Sequence, residues 1–247
     1  EFVLRQLDRL ETLRVEVTGV RGTLAGPLAV DSLLIEHETV RLEARDLELE
    51  VRTAALIHGQ VRLERLEVGH VEVVLRPHEQ RPAGDPHFLP HYLEVSAPVV
   101  RLGDVALTLV NGRQIRVESV HGALQMTRWR MDLADVVVVD PAGRVDAALT
   151  LRATQPLGLR VTANGRWTLP DEHTYRFAVA TRGRLDRLAT TVTLAEPANL
   201  SFIGNALTLT ENPGVVGTLR ATDFDGSPWV PAGRLPAVSG SVAIDGR

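Results

Sequence analysis

The histidines of the stretch HFLPH have a residue type and a spacing that could bind a metal ion. His87 and His91 lie four residues apart, and His78 lies nearby. Two such histidines bind zinc when a helix presents both on one face, or when a further ligand is well placed. Pro90 interrupts this spacing, and no Glu follows the first histidine as in metalloproteases. The stretch therefore favours a polar loop over a metal site.

Other candidate sites for chemistry lack the residues that would complete them. Asp223, Asp225 and Gly226 resemble the start of a calcium loop, but no Glu stands at the position of its last ligand. The Gly-rich stretch VTGVRGTLAG lacks the Lys and the following Ser or Thr of a phosphate-binding loop. No spacing indicates a Ser-His-Asp triad. We therefore predict a protein that is not an enzyme, with no catalytic residues and no cofactor.

The composition excludes several classes of protein. Hydrophobic residues make up 44% of the 247 residues and charged residues 23%, which is ordinary for a globular chain. The net charge of −4 argues against a nucleic-acid partner. The sequence contains no cysteine, so it has neither a disulfide nor a thiolate metal site. It also has no run of about 18 apolar residues, the length that would indicate a membrane-spanning helix.

The stretch GQVRLERLEVGHVEVVLR, residues 59–76, shows the pattern that dominates the chain. Its apolar residues alternate with polar ones, which indicates a strand with one dry and one wet face. The alternation changes phase at Glu64–Arg65 and again at Gly69–His70. We predict a strand, a bulge or kink, and a second strand that is entered through a tight turn.

The same period of two continues from Leu13 almost to the end of the chain, and strands recur every eight to twelve residues. Asn-Gly pairs at Asn111–Gly112 and Asn164–Gly165 each predict a hairpin turn. No helix of useful length separates the strands, so parallel crossovers are not expected. The sequence therefore predicts an all-β fold, a long antiparallel meander.

Three segments depart from the strand pattern. Residues 1–12 have helical spacing and predict a short amphipathic helix, and residues 53–59 could form a helical turn. Residues 77–90 contain four prolines and predict a mobile loop.

One side of this sheet is apolar, and two arrangements could accommodate it. In a β-sandwich the apolar side packs on a second sheet. A meander with short turns instead adds each strand beside the last, and the right-handed twist then curls it into an open U-shaped groove with an apolar interior. The uniform strands and the aromatic content of 4% favour the groove. Its predicted lining is Leu42, Leu47, Leu49, Val51, Val61, Leu63, Leu66, Val68, Val71, Val73, Leu75, Val105, Leu107, Leu109, Ile115, Val117, Leu149, Leu151, Leu159 and Val161.

The opposite side of the sheet carries charges of both signs, which is typical of a solvated outer wall. On the strand near residue 45 these are Arg41, Glu43, Arg45, Glu48, Glu50 and Arg52. An outer-membrane barrel would instead present an apolar outer band with aromatic girdles, which this pattern does not favour.

Three phrases resemble the amino-terminal part of the TamB family, within the AsmA-like group of bridge-type envelope proteins. They are VTGVRGTLAGPLAVDSL, AALIHGQVRLERLEVGHVEVVL and VDAALTLRATQPLGLRVTANGRWTL. The resemblance covers most of residues 13 to about 200. Each motif consists mainly of alternation and turns, so their joint order carries the resemblance.

The resemblance implies a periplasmic β-taco, anchored in the bacterial inner membrane and reaching toward an Omp85-type outer-membrane barrel of the TamA kind. It implies transport of phospholipids between the membranes, in support of outer-membrane biogenesis. We therefore expect residues 1–247 to be a single elongated piece of a longer protein, without the family's amino-terminal anchor and carboxy-terminal domain. Contacts with the inner membrane and the barrel are expected through those regions.

Two other functions fit the same pattern. The sheet could act as a chaperone or scaffold for outer-membrane strands, through its edges and its groove. A packed β-sandwich would instead be a binding or adhesion module.

Overall fold

The computed structural model describes residues 14–246 except 24–25, 38–39, 57–59, 77–87, 154–155, 169–172, 197–198, 208–213 and 225–237. The described part contains fifteen strands and one short helix, α1 (Thr53–Leu56). The strands are β1 (Arg14–Thr18), β2 (Arg21–Gly22), β3 (Pro27–Glu36), β4 (Val40–Val51), β5 (Gln60–Leu75), β6 (Glu94–Thr108), β7 (Gln114–Met126), β8 (Arg130–Asp140), β9 (Gly143–Arg152), β10 (Gly158–Thr168), β11 (Thr174–Arg184), β12 (Arg187–Glu196), β13 (Leu200–Leu207), β14 (Gly214–Phe224) and β15 (Val238–Gly246).

The strands form one open sheet whose order follows the chain. The hydrogen-bonded path runs from β1 to β3 and then through every strand in turn to β15, while β2 pairs with β3 beside β1. The path does not return to its start, so the sheet is not closed. The prediction of an all-β meander is confirmed.

One neighbouring pair departs from the predicted antiparallel arrangement. β5 and β6 run parallel, with Val73 beside Leu107 and Val61 beside Val95. Parallel neighbours need a connection of about a dozen residues or more. Residues 76–93 connect the two strands and supply that length. The prediction that no neighbours are parallel is therefore wrong at this pair.

The two Asn-Gly pairs have different outcomes. Asn111 and Gly112 form the predicted turn, with Gly112 at a φ of 80° and its N–H donating to Leu109 O at 2.8 Å. Asn164 and Gly165 lie inside β10, so the second predicted turn is wrong. Gly165 is needed for close approach of strands, because a Cβ there would lie 2.9 Å from the Val145 Cα.

β5 is one continuous strand of 16 residues, and both predicted phase changes lie within it. At the first phase change, Arg65 pairs with Glu50 and Leu63 with Val51, so Glu64 is the extra residue of the predicted bulge. At the second, the ladder continues past Gly69, and the predicted tight turn is wrong. The reason lies in β4, whose own phase change at Asp46 stands opposite Gly69 and keeps the two strands in register.

The remaining predictions on local structure are partly testable. α1 confirms the helical turn at the start of residues 53–59. The predicted helix at 1–12 lies outside the described residues, as does most of the predicted loop at 77–90, of which 88–90 are described and are not strand.

Contacts divide the chain into two units. Unit 1 comprises Glu1–Gly84, Pro90–Thr127 and Val138–Asp140, and unit 2 comprises Asp85–Leu89, Arg128–Val137 and Pro141–Arg247. Five buried side chains of unit 1 form one cluster on the apolar face of the sheet: Val30, Ala44, Leu47, Val68 and Val71. In unit 2 the buried apolar residues are Ala153 and Leu188.

Candidate functional site

The apolar face of unit 1 is built of rows that cross the strands. Residues that pair across neighbouring strands lie on the same side of a sheet. Val73 pairs with Leu42 of β4 and with Leu107 of β6, and Leu107 pairs with Ile115 of β7. Ile35 of β3 extends the row beyond Leu42. Five strands therefore contribute one aliphatic side chain each to a continuous row.

A second row contains most of the buried cluster. Val30 pairs with Leu47, Leu47 with Val68, and Val68 with Leu102. Val30, Leu47 and Val68 are only 6–7% exposed. Burial of this degree needs neighbours on more than one side.

No second layer of strands accounts for that burial within the described part of unit 1. Its strands make their extensive contacts with their neighbours in the sheet, and α1 contacts β5. The buried residues are therefore covered by adjacent rows of the same face. A flat sheet would leave them more open, so the burial indicates that the sheet bends toward this face.

A line of irregular residues crosses unit 1 beside the buried rows and explains the bend. Asp46 in β4 and Asp104 in β6 have positive φ values of 54° and 38°, and Gly19 beyond β1 has 68°. The residues on either side of Asp46 and of Asp104 pair with residues on either side of Gly69 in β5. Gly69 therefore lies between the two aspartates in the sheet. Backbone irregularities of this kind bend strands and sharpen their twist. The aligned irregularities thus form a crease, and the members of the buried cluster lie on either side of it.

The close spacing at the crease depends on glycine. A Cβ at Gly69 would lie 3.1 Å from the Asp46 Cβ, and one at Gly103 would lie 2.8 Å from Gly69 O. Asp104 is held on the charged face by His70, whose Nδ1 lies 2.8 Å from the carboxylate.

The charged face of unit 1 is laced by ion pairs. Glu43 accepts from Arg45 and also pairs with Arg41 at 3.2 Å, while Glu67 accepts from Arg101 at 2.9 Å. The hydrogen bond from Arg45 lowers the pKa of Glu43 below its ordinary value of 4.5. This face therefore presents charges to solvent, as the sequence predicted for the outer wall.

Unit 2 has an apolar face of its own. Leu149 pairs with Val161 and Leu151 with Leu159, and a parallel row continues through Val179 and Val192. Further members of the face are Phe177, Leu194, Phe202 and Leu219.

Two features of this face are unlike unit 1. Thr181 and Thr190 lie side by side on it, and the Thr181 hydroxyl donates to Thr190 Oγ1 at 3.2 Å. The Phe202 ring lies over Gly204, where a Cβ would come within 2.5 Å of the ring. Thr190 Oγ1 in turn donates to Leu188 O at 3.2 Å. The hydroxyls are thus engaged and the ring covers backbone that glycine leaves bare, so the face remains largely apolar.

The structure places nineteen of the twenty predicted lining residues in paired strands, fifteen in unit 1 and four in unit 2. Within each unit they share the apolar face. Leu109 instead follows β6 and lies in the hairpin turn, where its N–H donates to Arg113 O at 2.9 Å. Ile115, at 44% exposed, is the most open of the set.

Sequence reasoning missed other members of the face. In unit 1 they include Val15, Val17, Leu28, Val30, Leu33, Ile35, Ala44, Val100, Leu102 and Val120. Their alternation is visible in the sequence, but it changes phase at each irregularity, and only the register shows that the two phases share a side.

No group of three or more His, Asp or Glu gathers as metal ligands in the part of the chain that the structure describes. Of the predicted histidine loop, His78 and His87 lie outside that part. None of the described helices has the length and apolar character needed to cross a bilayer.

Comparison of the chain with protein-family models, curated proteins and solved structures finds no significant match. The resemblance that the sequence shows to the TamB family therefore stays a prediction.

Proposed function

We propose that this protein transfers lipids, with the apolar face of its sheet holding acyl chains. The observation that carries the proposal is the continuous apolar face of each unit, over which the described residues place no second layer of strands. Large uncovered apolar surfaces mark sites for apolar partners. The face here is a set of aliphatic rows, which suits an unbranched chain better than a ligand with many polar groups.

The physical advantage for a lipid is large. Each methylene that enters water costs about 0.8 kcal/mol, so a chain of about sixteen carbons costs on the order of 13 kcal/mol. A chain that slides from one aliphatic row to the next exchanges one apolar neighbour for another. Its barrier is therefore far below the cost of full exposure, and the transfer needs no catalytic group.

The crease in unit 1 gives this face a concave side. Because the strands bend toward the buried rows, aliphatic side chains flank an acyl chain placed there on two sides. The charged face remains in water, with its ion pairs on the convex side. The two faces thus suit a polypeptide that works in an aqueous space while it shields hydrocarbon.

The resemblance to the TamB family supports a place for this activity. It suggests the bacterial periplasm, phospholipids as cargo, and outer-membrane biogenesis as the process served. It also suggests an inner-membrane anchor and an Omp85-type outer-membrane barrel as partners, through regions outside residues 1–247.

Site-specific photo-crosslinking tests the proposal. A photo-reactive amino acid at Val73 should crosslink to phospholipid in cells, whereas the same residue at Glu72 should not, because these neighbours lie on opposite faces. Mass spectrometry of the purified chain should also detect co-purified phospholipid. Equal crosslinking at the two positions, or a purified chain that neither carries nor takes up lipid, contradicts the proposal.

A second candidate, a chaperone for outer-membrane strands, is favoured by the open sheet. In the described part, β1 and β15 each have one neighbour on the main path, so backbone groups at these edges are available to a further strand. A photo-reactive residue at Glu16 of β1 would then crosslink to nascent barrel proteins. Protein crosslinks from β1 without lipid crosslinks from Val73 would favour this candidate over lipid transfer.

A further inference from the structure

Four arginines line one depression on the charged face of unit 2. They are Arg130, Arg152, Arg160 and Arg182, and the depression has a volume of about 330 Å³. Thr150, Gly158, Leu159 and Gly183 also line it. The arginines lie on the face opposite the aliphatic rows, to which Leu159 belongs.

The sheet register brings two of these arginines together without a carboxylate between them. Arg160 of β10 pairs directly with Arg182 of β11, and on its other side it pairs with Thr150 of β9. Like charges at directly opposite positions destabilise a sheet. Gly158 stands between Arg152 and Arg184 in the adjacent row, so no side chain fills the space there.

Several other arginines on the charged face pair with carboxylates, which Arg160 and Arg182 do not. Arg144 pairs with Asp146 at 2.9 Å and Arg176 with Glu196 at 3.0 Å. Arg160 and Arg182 have no hydrogen-bond or ion-pair partner among the described residues. The cluster therefore carries uncompensated positive charge.

The acidic group beside the cluster is already engaged. Asp132 pairs with Arg130 at 2.6 Å and accepts a hydrogen bond from Thr150 Oγ1 at 2.7 Å. These contacts orient Arg130 and leave the guanidinium groups of Arg160 and Arg182 unneutralised.

We propose that this arginine cluster binds a phosphate group. Guanidinium groups bind phosphate through paired, charge-assisted hydrogen bonds, which the planar fork of arginine favours. A bound phosphate would replace the repulsion between Arg160 and Arg182 by attraction to a shared anion. The phosphate belongs either to a lipid headgroup or to a soluble phosphate compound. The proposal does not depend on lipid transfer along the opposite face.

Calorimetric titration of the 247-residue chain with inorganic pyrophosphate tests the site. The variant R160Q/R182Q should bind pyrophosphate about tenfold more weakly than the wild type, since two charge-assisted contacts are lost. The matched control R116Q/R220Q removes the same charge at exposed arginines on β7 and β14 and should change the affinity less than about twofold. Absence of pyrophosphate binding by the wild type, or equal losses in both variants, would overturn the proposal.

Two further measurements distinguish a binding role of the arginines from a structural one, and a lipid headgroup from a soluble phosphate. Without ligand, R160Q/R182Q should unfold at the same temperature as the wild type or higher, because a repulsion is removed. A lower unfolding temperature would show that the arginines stabilise the fold, and would count against a binding role.

Flotation with vesicles of phosphatidylcholine, with and without phosphatidylglycerol, identifies the source of the phosphate group. Cluster-dependent binding to the anionic vesicles indicates a lipid headgroup, and pyrophosphate binding alone indicates a soluble phosphate.

Discussion

Val73 and Leu107 lie side by side on the parallel strands β5 and β6, in the middle of an aliphatic row on the apolar face. Their sequence neighbours Glu72 and Ala106 form the equivalent pair on the charged face. The proposed lipid transfer can therefore be tested at adjacent residues that lie on opposite faces.

Replacement of Val73 or Leu107 by Arg should block lipid passage, because a guanidinium group would have to lose its hydration beside an acyl chain. Both residues are half-buried, so the arginine stem can reach water and the fold should largely persist. Lipid crosslinking measures passage, and circular dichroism melting measures folding. Glu72→Arg is the control and should leave lipid crosslinking nearly unchanged. Similar losses at Glu72 and Val73 would contradict the assignment of faces.

The buried rows of unit 1 should carry much of its stability. Val68→Ala should destabilise the protein by about 2 kcal/mol, since the side chain is 7% exposed and the surrounding rows cannot close the space. Val17→Ala makes the same change on β1, where the valine is 46% exposed, and should cost much less. Urea unfolding followed by circular dichroism compares the two. Equal shifts in midpoint would show that the crease does not concentrate stability at Val68.

The crease itself can be tested at Asp46. Asp46→Gly should be nearly neutral, because glycine adopts a φ of 54° without strain. Asp46→Val should cost about 1–2 kcal/mol, since a β-branched residue is strained in this region. Glu48→Val on the same strand provides the control for a valine on the charged face. Thermal unfolding ranks the three variants, and a neutral Asp46→Val would show that the positive φ is not required.

Acid should weaken unit 2 through Asp132. The hydrogen bond from Arg130, supported by the one from Thr150, lowers the pKa of this carboxyl below its ordinary value of 3.8. A lowered folded-state pKa contributes stability above the unfolded-state value, and this contribution is lost as the pH falls through the folded-state pKa. Asp132→Asn should therefore be less stable than the wild type at pH 7. The difference should shrink as the pH falls below about 4.

Unfolding temperatures of both proteins between pH 7 and pH 2 check this prediction. Asp146→Asn, on the same face and paired with Arg144, shows whether the effect is particular to Asp132. A difference between Asp132→Asn and the wild type that stays constant over the whole range would contradict the pKa assignment.

Local signals predicted much of the fold correctly. The alternation in β5 identified both its faces, and the turn at Gly112 followed from a dipeptide that tolerates positive φ. The same dipeptide misled at Asn164, because nothing local distinguishes a turn glycine from one that lets strands approach closely. The phase changes at Asp46 and Gly69 were visible, but their alignment across strands was not.

The sequence by itself determined that this chain forms strands and that, between irregularities, one side of a strand is apolar and the other is solvated, because these depend on the period of neighbouring residues. The tertiary structure decided that β5 and β6 run parallel, that irregularities align into a crease, and that Arg160 meets Arg182. These depend on register between residues distant in the chain. Hydrogen bonding between whole strands sets that register, and no single stretch of sequence contains it.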